Sequence, residues 1–383
     1  MSHKQMVGAW LGAALALAAV PASAIDAEAF AQRVETAGVG GLTYLGRARA
    51  AGEDVIVNNV GVKFGDTTYV FEGQFTFSGI AMQPDGGYVV ESITAPEIVL
   101  HDTSTRVLTA KVNDFSLTGY EVPGGEGETF PALALHAGLF TWRYFAMRPI
   151  GGLSIEIEPT FVNETLSALA VSATVEGMTF DLQDVTGEPN SLVALDVDEL
   201  PLDYRDSIVW KDSGLVTYTN HTNAGELGAS QTEVVVSGLT RDKVEKLIAV
   251  QKAGPDILQA ATSALIGIVI DDASFRIEAG PLLKEVIDYL ANERGDRDAV
   301  LAEAEQAGMT VIEALDAPAL AALVRPALRA FLAEPSSLEA RIDPPAPVTL
   351  ISLMFAAMAA KTTIVPLLGP TITANEPPPP DAS

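Results

Sequence analysis

The hydrophobic pattern over the first two thirds of the chain repeats an eight-residue unit: apolar-x-apolar, two polar or small residues, then apolar-x-apolar. Three copies are Val55-Ile56-Val57-Asn58-Asn59-Val60-Gly61-Val62, Phe75-Thr76-Phe77-Ser78-Gly79-Ile80-Ala81-Met82 and Ile93-Thr94-Ala95-Pro96-Glu97-Ile98-Val99-Leu100. Further copies occupy 110–117, 173–180 and 195–202, and a truncated one occupies 234–239. Period-two alternation marks a half-buried strand. In each full copy, however, the parity slips by one at the central pair, and in a straight strand that would turn the apolar set to the opposite face. A β-bulge, one inserted residue that bends the strand, reconciles the two halves. Each copy is therefore expected to be one long bent strand, not two short ones. Copies begin at 55, 75, 93 and 110, the spacing of a long strand plus a tight turn. A βαβ unit needs roughly 30 residues, so the spacing predicts an antiparallel meander.

Ahead of the strands, Ala29, Phe30, Val34 and Ala37 recur at helical spacing and predict a short amphipathic helix over 26–36, ended by Gly38-Val39-Gly40-Gly41. Turn signals separate the strands at Gly65-Asp66-Thr67-Thr68, Pro84-Asp85-Gly86-Gly87 and His101-Asp102-Thr103-Ser104. The segment 122–128, Val-Pro-Gly-Gly-Glu-Gly-Glu, reads as a flexible break within the β region. Beyond it the alternation resumes through 155–158, 173–182 and 195–204 and ends near Val236.

The last third changes character. Thr240 can cap a helix carrying Val244, Leu247 and Ile248, broken by Gly254-Pro255. The apolar run 257–270 reads as a buried helix passing into a strand at its β-branched end. Leu282, Leu283, Val286, Ile287 and Leu290 form one helical stripe. Leu320, Leu323, Val324, Leu328, Phe331 and Leu332 form another, with Asp316 as N-cap, Pro318 in the first turn and Pro326 expected to kink or split it. Strand-then-helix units are expected at 233–250, 274–291 and 338–357. The second and third share Arg276-Ile277-Glu278 and Arg341-Ile342-Asp343. The segment 348–360 is apolar almost all round and predicts a buried core helix, and the tail 376–383 with its four consecutive prolines predicts disorder.

These elements predict an α+β fold: a large curved antiparallel β-meander of long bulged strands with a C-terminal helical region packing on it. The expected organisation is a signal peptide at 1–24, a β-meander domain with its short helix at 25–240, a mostly helical region with interspersed strands at 241–375, and the Pro-rich tail at 376–383.

Composition sharpens the setting. Lys4, the apolar run 7–20 and Ala22-Ser23-Ala24 have the layout of a secretory signal. The run of about 14 residues falls short of the roughly 20 needed to span a bilayer, so a cleaved, periplasmic protein with no remaining membrane span is expected. There is no cysteine, which excludes disulfides, thiol catalysis and cysteine-held zinc or iron–sulfur centres. Without the first 24 residues the chain carries 22 basic and 50 acidic residues, net −28. Such a surface repels nucleic acid, and no nucleic-acid partner is expected.

The chemistry-bearing motifs are few. There is no G-x-S-x-G elbow, H-E-x-x-H or Walker A sequence. His101, His136 and His221 stand far apart in sequence. Eight carboxylates crowd 181–206: Asp181, Asp184, Glu188, Asp196, Asp198, Glu199, Asp203 and Asp206. Asp196 and Asp198 would share a strand face and could offer oxygens to Ca²⁺, but the EF-hand spacing is missing and a solvated face is the favoured reading. The cluster Phe140-Thr141-Trp142-Arg143-Tyr144-Phe145 reads as packing, with a ligand platform as the alternative. Asn163-Glu164-Thr165 and Asn220-His221-Thr222 fit a glycosylation pattern without consequence in a bacterial envelope. No catalytic, cofactor-binding or metal residue is nominated, and no cofactor is expected.

The leader, the short opening helix and the repeated bent-strand unit make the chain resemble the β-rich periplasmic proteins of Gram-negative bacteria, such as the AsmA-like and DUF945-like families. The resemblance covers about 25–240 and implies envelope maintenance or handling of lipid-like molecules. The expected function is thus a non-enzymatic exported protein whose partner is a lipid-like ligand or an envelope protein. An acidic scaffold module without a small-molecule ligand is the alternative, followed by a carboxylate-based hydrolase.

Overall fold

The computed structural model describes residues 25–37, 42–64, 67–101, 108–124, 133–142, 150–162, 165–181, 197, 199–244, 266–314, 317–359 and 363–377. Residues 1–24, which carry the signal reading, lie outside them, as does most of the expected helical run 245–265. The fold class is α+β, dominated by antiparallel strands with helices mainly in the C-terminal part. The chain divides into two compact units, Met1–Leu133 and Ala134–Ser383.

In the first unit, helix α1 (Ala27–Ala37) starts where the Asp26 side chain accepts from the N–H groups of Glu28 and Ala29, both at 3.1 Å. Strands β3 (Asp54–Phe64), β4 (Thr67–Met82), β5 (Tyr88–His101) and β6 (Leu108–Val122) then pair in chain order, all antiparallel. Two short strands, β1 (Leu42–Leu45) and β2 (Ala48–Ala51), lie end to end along β3. Between them Gly46 donates to the Asn59 carbonyl at 2.9 Å, and a Cβ at Gly46 would stand 1.7 Å from the Asn58 oxygen.

One face of this sheet is filled. Val55, Val57, Phe77, Val90, Ile93, Tyr120 and Val122 pack with Phe30 and Val34 of α1 into a dry core. The Phe30 ring meets Phe77 and Tyr88 edge-on, at centroid distances of 5.4 and 5.2 Å. Ala29, which the periodicity assigned to the stripe, is exposed, and Ala31 is buried in its place.

The parity slips lie inside single strands, as expected. At the second central position Asn59, Gly79, Asp114 and Gly177 have φ of 67, 62, 51 and 65°. Gly reaches this left-handed region freely, and Asn and Asp do so more readily than other side chains. The copy at 93–100 uses a different device, for the β4 register moves from Gly73↔Ile98 to Thr76↔Thr94 with the extra residue on β5. The irregular positions also align across strands. Gly79, Glu91 and Gly119 skip pairing on β4, β5 and β6. Asn59, the 72–73 step, the 96–97 step and Asp114 form a second line, joined where Asn59 Oδ1 accepts from the Gly73 N–H at 3.2 Å. The sheet of this unit is creased along lines, not bent strand by strand.

The second unit contains β7 (Leu133–Ala137), β8 (Leu139–Trp142), β9 (Gly152–Val162), β10 (Thr165–Asp181), β11 (Glu199–Lys211), β12 (Val216–Asn223), β13 (Gly228–Ser237), β14 (Val269–Ala279), β15 (Ser337–Ile342), β16 (Val348–Thr349) and β17 (Pro370–Ala374). Antiparallel pairing runs β9-β10-β11-β12-β13-β14-β15-β17, and β16 joins β14 beyond the end of β15. The copy at 195–202 is not a bent strand: Val197 lies outside any strand, and β11 begins only at Glu199. The truncated copy at 234–239 is corrected too. Its register step comes from the extra residue Asp271 on β14, and β13 stops before Gly238.

Helices α2 (Pro281–Arg294), α3 (Arg297–Glu313) and α4 (Pro318–Ala333) pack in sequence and bury Leu282, Ile287, Val300, Met309, Val324, Ala327, Phe331 and Leu332. α4 also packs against β15 and β17. Two further helices are α5 (Leu350–Ala359) and α6 (Ile364–Leu368). The second and third expected strand-then-helix units are present; of the first, β13 and helical residues at 241–244 are described and 245–250 lie outside the described residues.

Four expectations change. α4 runs unbroken through Pro326, whose ring lies on the solvent side while Val324, Ala327 and Phe331 hold the buried side. Its cap position is Ala317, not Asp316. α5 is not a buried core helix: Val348-Thr349 pair in β16 instead, and Phe355 is 65 % exposed. Of the expected disordered tail only 376–377 are described, and there the chain is held, because the Glu376 carbonyl accepts from Arg276 Nη2 and Ser337 Oγ, both at 2.9 Å; 378–383 lie outside the described residues.

Candidate functional site

Register decides what the second sheet presents. Cross-strand partners share a face, so the ladders from β9 to β17 assemble rows. Two rows on one face are polar in every position. The first is Ser154, Thr174, Arg205, His221, Gln231, Arg276, Glu339 and Thr373, and the second is Glu156, Ser172, Ser207, Thr219, Glu233, Ser274, Arg341 and Thr371.

The other face carries Ile157, Val171, Ile208, Tyr218, Val234, Ala273, Ile342 and Pro370 in one row. The next is Ile155, Ala173, Asp206, Asn220, Thr232, Phe275, Ala340 and Ile372. A third is Leu153, Val175, Tyr204, Thr222, Ser230, Ile277, Leu338 and Ala374. Both flanks of this face are apolar, and a strip of hydroxyl, amide and carboxylate groups crosses its middle. No residue in these three rows is buried, and Ile208 and Phe275 are each 44 % exposed. An antiparallel sheet ordinarily packs its apolar face and solvates the other. Here the polar side is the conventional one and these three rows of the apolar side keep accessible surface. The next row of the same face, Pro159, Leu169, Trp210, Val216, Val236, Ile270 and Val348, buries Trp210 and Val348. In the first unit α1 fills the equivalent face.

The strip is organised around Asp206. Tyr204 Oη donates to its Oδ2, while Tyr218 Oη and Asn220 Nδ2 donate to its Oδ1 at 2.9 and 3.0 Å. Thr222 Oγ1 in turn donates to Asn220 Oδ1 at 3.4 Å. The bond to the Asp206 carboxylate pushes both phenols above the ordinary tyrosine value, so they remain protonated donors at neutral pH. Asp206 is the one charged residue of the three rows.

Two concavities among the described residues are lined mainly by residues of the polar side. One of about 520 Å³ is lined mainly by Thr174, Glu176, Asp203, Arg205, His221 and Asn223, with Val175 and Tyr204 also at its wall and Asp203 already accepting from the Gly177 N–H at 2.9 Å. A second of about 280 Å³ is lined by Glu339, Arg341, Thr371, Thr373 and Glu376. Among the described residues no three His, Asp or Glu side chains come together to hold a metal, and no helix is long and apolar enough to cross a membrane.

Of the carboxylates singled out in sequence, Asp184, Glu188, Asp196 and Asp198 lie outside the described residues. Asp203 and Asp206 face opposite sides of the sheet. Within the aromatic cluster, 143–145 lie outside the described residues. Asn220 is engaged by Asp206. Sequence reading passed over Tyr204, Tyr218 and Asn220 as a group. The available signal was a lone aspartate at an apolar-parity position between Tyr204 and Ile208.

A family model described only as "Uncharacterized protein" matches residues 221–375, from within β12 to just past β17. The match carries no link to the AsmA-like or DUF945-like families. No curated protein and no solved structure matches the chain.

Proposed function

We propose that this is a non-enzymatic exported protein that holds an apolar, lipid-like molecule against the accessible face of its second sheet, in the service of the bacterial envelope. The observation that carries the reading is the three-row apolar face from β9 to β17, in which no residue is buried. Soluble monomers seldom leave apolar patches beyond a few hundred Å² open, and larger ones mark binding surfaces. Eight strands at about 4.8 Å spacing make a face roughly 34 Å across. Each half-exposed Ile or Phe leaves on the order of 1 kcal/mol of burial unrealised, and an aliphatic chain laid on the face supplies it. The periplasmic address rests on the leader-like segment 1–24.

The test is direct. Protein purified without detergent is extracted with organic solvent and the extract read by mass spectrometry. An aliphatic species should be present with the native chain and reduced in the double variant Ile208→Ser, Phe275→Ser. An empty native extract, together with no binding of any added alkyl probe, would overturn the reading.

A further inference from the structure

We propose that the face selects its ligand by head group, taking amphiphiles with an ammonium head and rejecting those with an anionic one. The inference rests on the apolar-face reading and deepens it by naming the chemical class. Its basis is the placement of charge. The three rows contain Asp206 and no basic residue, whereas the arginines of the sheet, Arg205, Arg276 and Arg341, lie in the rows of the opposite face.

The hydrogen bonds point the same way. Tyr204 and Tyr218 spend their hydroxyl protons on Asp206, which leaves the phenolic oxygens only lone pairs to offer outward. Around Asp206 the two phenols therefore offer acceptors outward beside one carboxylate, in a strip that carries no cationic group. An ammonium group has three donors and a full positive charge, and it gains from both the carboxylate and the aromatic faces. A sulfate, phosphate or carboxylate head brings acceptors to acceptors and like charge to Asp206, the arrangement by which a site rejects a wrong partner. The apolar flanks, Ile155, Val171 and Val175 on one side and Phe275, Ile277 and Ile342 on the other, receive the chain.

The experiment uses the full chain and three probes of equal chain length below their micelle concentrations: dodecylammonium, dodecyl maltoside and dodecyl sulfate, titrated by calorimetry. The amine should bind about tenfold tighter than the sulfate, with the maltoside between them, a spread of one carboxylate contact. In Asp206→Asn the amine and sulfate affinities should converge to within about twofold, while the maltoside affinity stays. Circular dichroism of the variant confirms that it folds. If all three bind the native chain alike and Asp206→Asn changes nothing, the head-group inference fails while the apolar-face reading stands. If none of the three binds, both fail.

Discussion

At the residue scale, the phase slips come down to which side chains tolerate a left-handed backbone. Gly79 holds φ of 62°, and a Cβ there would lie 2.5 Å from the Cβ and Oε2 of Glu91 on the neighbouring strand. Gly79→Ala combines an unfavourable φ with a contact that the Glu91 Cβ cannot move out of. The expected loss is about 2 kcal/mol in urea unfolding. A loss within a few tenths would show that the crease does not depend on that residue. The second crease can be read the same way through Asn59, whose side chain replaces a ladder bond by accepting from Gly73. That Asn, Gly, Asp and Gly fill the same slot of four copies was visible in the sequence; that the slots align across strands was not, because alignment depends on register.

At the element scale, two packing units can be probed separately. Phe30 has no exposed surface and stands between Phe77 and Tyr88. Phe30→Ala should cost about 3–5 kcal/mol, read as a lower denaturant midpoint for the first unit. The helical layer offers a pH handle. Glu305 of α3 accepts from Arg329 Nε at 2.8 Å and from Arg325 Nη1 at 3.1 Å, both on α4, and these bonds hold its carboxyl below the usual carboxylate value. A lowered folded-state value means the stabilisation is present above the unfolded-state value and disappears as pH falls through the folded one. Glu305→Gln should therefore be less stable than the native protein at pH 7, and the two thermal midpoints should converge as the pH drops below the carboxylate range. A constant gap at all pH values would contradict the assignment. α3 itself went unnoticed in sequence, since its larger apolar residues sit at its two ends with alanines and glutamates between them and make no continuous stripe. Its place is set by its partners: α2 and α4 cover Val300 and Met309, and Arg325 and Arg329 of α4 pair with Glu305.

At the scale of each unit, the same strand grammar meets two different fates. In the first unit the apolar face receives α1 and closes into a core. In the second, helices α2 to α4 bury apolar residues among themselves and α4 packs on β15 and β17, while the three rows around Asp206 keep accessible surface. The Ile208→Ser, Phe275→Ser variant follows from that difference. It should fold as the native chain does, because neither side chain is in a core, yet bind a hydrophobic dye markedly less. Unchanged dye binding would place the accessible apolar surface elsewhere, such as around Phe355 or Val311.

The sequence by itself determined the long strands of the meander, four of their bends, the opening helix and two strand-then-helix units of the last third. These follow from local periodicity and from the few residue types that permit a left-handed turn. Only the tertiary structure decided which apolar face is filled, which is open, and that Asp206 stands alone on the open one. Those are properties of cross-strand register and of which helix reaches which sheet. Cross-strand pairing brings distant residues together, as it does Ala273 and Ile342, 69 positions apart, and local periodicity does not record which residues pair.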